Sequence, residues 1–174
     1  ASMIVMDLTP TDVALAERLA DASYQRFAQH EGHYRNMPRS HLVGKLGEVA
    51  VDKYFSSLLP RRIVQPHYRD PDMEELCDLT FGQTRIEVKT WSAEYWSEWG
   101  RCVAVTQMDR VERKADVIVW CSERSPTILI HGWSTPDELA RVPAEMTGPT
   151  GHQVLNHQVS EMKLHNTEYL GVPV

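Results

Sequence analysis

The chain has 174 residues, 42% of them hydrophobic and 24% charged, with a net charge of −6 at pH 7. That length suits one domain, residues 1–174, with a proper core, and the composition is ordinary for a soluble globular protein. The negative balance excludes a chain-wide electrostatic grip on nucleic acid but not a local one, and no apolar run reaches the roughly 18 residues that span a bilayer.

Ala1-Ser2 before Met3 reads as a cloning remnant, and no basic-then-apolar secretory leader is expected. Thr9-Pro10-Thr11-Asp12 is a helix start, with Thr9 as N-cap, and Leu15, Leu19, Ala22 and Phe27 recur at helical spacing to about His30. Residues 31–39 are polar loop. Ser40 is expected to cap a second helix over 41–59, ended by Pro60. Ile63-Val64 begins a strand, and 69–75 (RDPDMEE) is loop. A hairpin is expected over about 76–91, with Gly82-Gln83 as its two-residue turn. Trp91, Tyr95 and Trp99 recur every four residues beside Trp96. On a helix they would form an aromatic stripe, read here as core packing for at least two of the four, with base stacking or a subunit surface as the functional alternatives. Strands follow at 102–106, 116–121 and 127–133, a short helix at 108–114, and a helix at 136–141 capped by Ser134 or Thr135. The remainder reads as loops with a late strand. Helices interleaved with strands in this order predict an α/β fold with a central mixed sheet flanked by helices.

Three cysteines, Cys77, Cys102 and Cys121, stand apart with no CxxC, which fits a reducing cytoplasm rather than a disulfide framework. His131, His152, His157 and His165 match no compact zinc spacing. No glycine-rich phosphate loop is present, so no nucleotide cofactor is expected. Basic residues cluster at Arg35, Arg39 and Lys45, at Arg61-Arg62, and at Arg110, Arg113 and Lys114; each is at least as well read as solvated surface.

The chemistry lies in CDLTFGQTRIEVKT, residues 77–90. With a turn at Gly82-Gln83, Phe81 faces Thr84, Leu79 faces Ile86, and Asp78 faces Glu87. Opposed residues share a sheet face with Cβ atoms roughly 4.5–5.5 Å apart. Lys89, two residues past Glu87, shares that face. Two carboxylates side by side repel, and a hard divalent cation such as Mg²⁺ removes the repulsion. On the second helix (GKLGEVAVDKYF, 44–55), His41, Lys45, Glu48 and Asp52 form one polar stripe, while Gly44 and Gly47 weaken the helix and suggest a close neighbour.

Together these residues resemble the PD-(D/E)XK nuclease superfamily, the restriction-endonuclease-like fold, over roughly residues 40–133. The family's Pro-Asp is Cys77-Asp78 here; a literal Pro71-Asp72 lies in a loop and does not face Glu87. The resemblance implies an α-β-β-β-α-β core and Mg²⁺-dependent hydrolysis of DNA phosphodiesters, with Mn²⁺ able to substitute. It assigns Asp78, Glu87 and the Val88 carbonyl to the metal, Glu48 to a second metal or a metal-bound water, and Lys89 to water or transition-state charge. Gln107 is either an auxiliary group that positions water or phosphate, or a helix cap; Lys45 and Arg110 are candidate phosphate contacts. A double-strand break by so small a domain would need a homodimer or two visits. The absence of a separate recognition domain favours structure- or end-dependent cutting. Two rival readings stand beside this one: a non-catalytic nucleic-acid- or protein-binding module of the same fold, and an RNA nuclease.

Overall fold

The computed structural model describes residues 2–27, 38–58, 63–73 and 76–170. Strand β1 (Ile4–Asp7) leads into helix α1 (Pro10–Phe27). Thr9 closes a reciprocal cap: its Oγ1 accepts from the Asp12 N–H at 3.1 Å, and Asp12 Oδ2 accepts from the Thr9 N–H at 2.9 Å. Helix α2 (Pro38–Ser56) lies against α1, tied by Lys53 to Asp12 at 2.7 Å. Then come β2 (Val64–Gln65), 3-10 turns at His67–Arg69 and Pro71–Met73, β3 (Leu79–Phe81) and β4 (Thr84–Ser92). Helix α3 (Ala93–Trp99), β5 (Cys102–Ala104), a 3-10 turn at Val105–Gln107 and α4 (Met108–Lys114) follow. The chain continues through β6 (Val117–Arg124), β7 (Thr127–Ser134), α5 (Pro136–Ala140), β8 (Glu145–Thr147) and β9 (Val154–Gln158).

Six strands form a mixed sheet in the order β1-β7-β6-β4-β3-β2, and β5-β9-β8 form a small second sheet. Strand β4 runs parallel to β6; the other pairs in the large sheet are antiparallel. A strand buried on both faces reads as a continuous apolar run, and VIVWC does so. Its Val117, Val119 and Cys121 join Leu46, Val49, Ala50 and Phe55 of α2 in one core. Ile118 and Trp120 point the other way, into a second core with Trp96, Met108, Val111 and Leu139. Trp120 is fully buried, and its indole N–H is satisfied by Ser134 Oγ at 2.8 Å.

The hairpin forms in the expected register, Leu79 opposite Ile86 and Phe81 opposite Thr84, with Gly82 at φ 62° in the turn. Other boundaries move. Ser40 caps nothing, because α2 starts at Pro38 and Ser40 lies inside it. The cap of α5 is Thr135, in a full capping box with Glu138. Trp91 belongs to β4, so the aromatic stripe shrinks to Tyr95 and Trp99, stacked at 5.4 Å on α3. Trp96 is buried and Trp91 packs on the second core, as core packing requires. Strands β1 and β8 were not expected. The ends assigned at His30 and Pro60, and the basic residues Arg35, Arg61 and Arg62, lie outside the described residues. No helix among the described residues is long and apolar enough to cross a membrane.

Candidate active site

Asp78 sits one residue before β3, where the hairpin opens. Its backbone carbonyl accepts from the Tyr68 N–H at 2.7 Å, and its Oδ2 accepts from the Val88 N–H at 2.8 Å. These two bonds hold the carboxyl over β4 from both ends. Glu87 and Lys89 share one face of β4, the face on which their parallel partners Ile118 and Trp120 point into the second core. Glu48 comes from α2.

The three acids meet at Asp78, which lies within hydrogen-bonding reach of both Glu48 and Glu87. Glu48 and Glu87 are each only 8% exposed. Carboxyl groups so close need a proton or a cation between them. Burial, reinforced by Asp78, pushes Glu48 well above the ordinary carboxylate range against the pull of Lys45. Burial and Asp78 likewise raise Glu87 to about 8, against Lys89 and Lys114. Burial favours loss of the Lys45 proton, but Glu48, Asp78 and Glu87 outweigh it and raise its pKa, so Lys45 stays an ammonium.

Lys45 Nζ stands 3.0 Å from Glu48 Oε2 and 3.4 Å from the Tyr68 carbonyl oxygen. Glu48 Oε2 is fully buried and has the Lys45 ammonium as its counter-ion. A buried carboxylate oxygen and two raised carboxyls are oxygen donors, the kind that suit a hard divalent cation. Among the described residues, no group of three or more His, Cys, Asp and Glu side chains is arranged to hold a metal ion. The acids are oxygen donors, the chemistry that Mg²⁺ or Mn²⁺ prefers, and Lys45 is the cation that stands at Glu48.

Beside Asp78 opens a cleft of about 170 Å³. Lys45, Arg110 and Lys114 line it, as do Arg26 and His67. The two candidate phosphate contacts, Lys45 and Arg110, are thus brought to the acids. Lys114 escaped notice as a site residue, although it lies one helical turn after Arg110 and so on the same side of α4. Tyr68 also escaped notice: its hydroxyl donates to Asp52 at 2.7 Å, and Arg69 pairs with the same carboxylate at 2.9 Å. Nothing local in the sequence links Tyr68 to Asp52. Asp52, on the same helix stripe as Glu48, is thereby consumed by structure.

Gln107 is not in this cleft. It ends the 3-10 turn before α4, and its side chain makes no capping bond, so the cap role fails. It lines a separate cavity with Trp91 and Trp99. His157 Nδ1 donates to the Val142 carbonyl oxygen at 2.6 Å, and His165 pairs with Glu138 at 2.8 Å, each with its own local role. No family model, curated protein or solved structure matches this chain.

Proposed function

We propose that the chain is a divalent-metal-dependent nuclease of the PD-(D/E)XK type that hydrolyses DNA phosphodiester bonds. The observation that carries this reading is the meeting of buried Glu48 and Glu87 with the half-buried Asp78, with Lys89 on the same strand face as Glu87, next to a cationic cleft. The order α2, β2, β3, β4, α4, β6 supports it, being the α-β-β-β-α-β order of the resembled family with α3 and β5 inserted.

Hydrolysis needs an activated water, neutralised phosphate charge and help for the leaving oxygen. Asp78, Glu87 and the Val88 carbonyl would hold Mg²⁺ or Mn²⁺, which supplies Lewis acidity and a more acidic bound water. Glu48 accepts a proton or orients a water from the α2 side. Lys89 places its ammonium where negative charge builds on the phosphate. Lys45, Arg110 and Lys114 attract the phosphate backbone and carry no sequence information.

A second reading, a module that keeps the fold and binds without cutting, draws on one observation: Lys45 already stands as a counter-ion at Glu48. Cleavage of labelled linear DNA under Mg²⁺ by the wild type, Asp78→Asn, Glu87→Gln and Lys89→Ala separates the two. The nuclease reading expects each variant to lose at least about 100-fold in rate with its fold retained. Full activity in all three variants overturns it.

A further inference from the structure

We infer that the cavity beyond Lys89 holds one unpaired nucleobase, so that the enzyme's substrate is single-stranded or locally melted DNA. The inference rests on the nuclease reading and names the substrate class of that site.

The cavity measures about 440 Å³, within the range of roughly 300–1,000 Å³ typical of small-molecule sites. It lies between the end of β4, the end of α3 and the small second sheet, and Trp91, Trp99, Thr106, Gln107, His152 and Asn156 are on its walls. Both indoles are half-buried and braced by other rings: Trp91 stacks on Trp120 at 5.8 Å, and Trp99 on Tyr95 at 5.4 Å. A braced, partly exposed aromatic face is a stacking platform for any base, because every base has a π-face.

The polar groups fit the edge of a base. Asn156 spends its amide N–H donors inside the protein, on Thr147 Oγ1 at 2.7 Å and the Val154 carbonyl at 3.1 Å. Its carbonyl is what it can offer, an acceptor for an exocyclic amine. The half-buried Gln107 carboxamide has no hydrogen-bond partner among the described residues and can both donate and accept. Such a group gains from a ligand with a paired donor–acceptor edge.

Position ties the cavity to the acids. Glu87, Lys89 and Trp91 share one face of β4, and four residues of strand span roughly 13 Å. Lys89 acts electrostatically on both Glu87 and Cys102, a residue of the cavity wall. A phosphate at Lys89 therefore places a neighbouring nucleotide at the cavity. A base stacked within a duplex cannot enter; an unpaired one can.

The test is binding, measured by fluorescence anisotropy in chelator with a short labelled single-stranded DNA, its duplex, and single strands carrying one abasic residue at each position in turn. The full chain is compared with Trp99→Ala and with Gln107→Ala, whose side chain bonds nothing among the described residues. The single strand is expected to bind more tightly than the duplex. One abasic position is expected to lose about 10- to 100-fold, and Trp99→Ala to lose as much for the intact strand and nothing further for that abasic strand. Gln107→Ala is expected to lose severalfold. Equal affinity for strand and duplex, or wild-type binding by both variants, overturns the inference. Position-dependent binding without Mg²⁺-dependent cleavage would uphold the base site and remove the nuclease; cleavage with no abasic effect would do the reverse.

Discussion

Glu87 bears much of the electrostatic cost of the site, and its titration makes that cost measurable. Its pKa of about 8 in the folded chain lies above the ordinary glutamate value near ~4.3. Between these values the folded state keeps a proton that the unfolded chain has released. Stability is therefore fullest at the acid end of the window and falls as pH rises towards about 8. The buried Glu48, raised for the same reasons, adds to the fall. Glu87→Gln should flatten it and leave the metal-free protein about 1–3 kcal/mol more stable than wild type at pH 8, read by thermal melts at pH 5.5 and 8. An equally steep fall in the variant would contradict this account. Addition of Mg²⁺ at pH 8 should raise the melting temperature of the wild type and not of Asp78→Asn, since a ligand that binds only the folded state stabilises it. At this level the sequence was informative wherever neighbours are local: alternation and a glycine turn gave the register of Leu79 with Ile86, and Asp78 comes next to Leu79. It was silent on Tyr68, and it named Lys45 and Arg110 without showing that they meet Lys114 at one cleft, a meeting that long-range packing makes.

Helix α2 reaches the hairpin because of one glycine. A Cβ at Gly47 would lie 1.8 Å from Thr90 Oγ1 and 2.9 Å from Thr90 Cβ on the central strand β4. The close neighbour suggested by a glycine within a helix is thus a side chain, and the close fit brings Glu48, the next residue, over Asp78. Gly44 meets nothing within 4 Å. Gly47→Ala should therefore cost about 1–3 kcal/mol through overpacking, and Gly44→Ala should gain about 0.5–1 kcal/mol from helix propensity. Chemical denaturation of the two variants checks the contrast; equal effects would mean that Thr90 yields easily. Another tight arrangement has a different meaning. Ser122 Oγ lies 2.7 Å from His131 Nε2, with Glu161 3.3 Å from Nδ1, the spacing of a hydrolase triad. Ser122 is only 3% exposed, so the hydroxyl serves to satisfy a buried imidazole that stacks on Trp96. Long periodic helices and the apolar run of β6 were legible because burial imposes their pattern. The four-residue β1 and three-residue β8 were not, because strands this short carry too few alternations to stand out.

The molecule as a whole carries a net charge of −6, yet Lys45, Arg110 and Lys114 gather at a single cleft. On the proposed function, the grip on nucleic acid would be local and its salt dependence shallow. Three phosphate contacts on a single strand give a slope of log K against log salt near −2, at about −0.7 per contact. A slope several units steeper would reveal a binding surface beyond the cleft. The α/β architecture with a mixed sheet followed from element order alone. The small β5-β9-β8 sheet did not, since it pairs residues 102–104 with 156–158, more than fifty residues away in the chain. That sheet walls the cavity proposed for the base, which is why the cavity was the least readable feature of the chain. The central claim is that Asp78, Glu87 and Lys89 cut DNA with a divalent metal. Its direct test is incubation of supercoiled circular DNA with the purified chain in Mg²⁺, in Mn²⁺ and in chelator, beside Lys89→Ala. Nicking that appears with either metal, stops with chelator and is lost in Lys89→Ala is the expected result. Nicking that persists in chelator, or equally in Lys89→Ala, would contradict it.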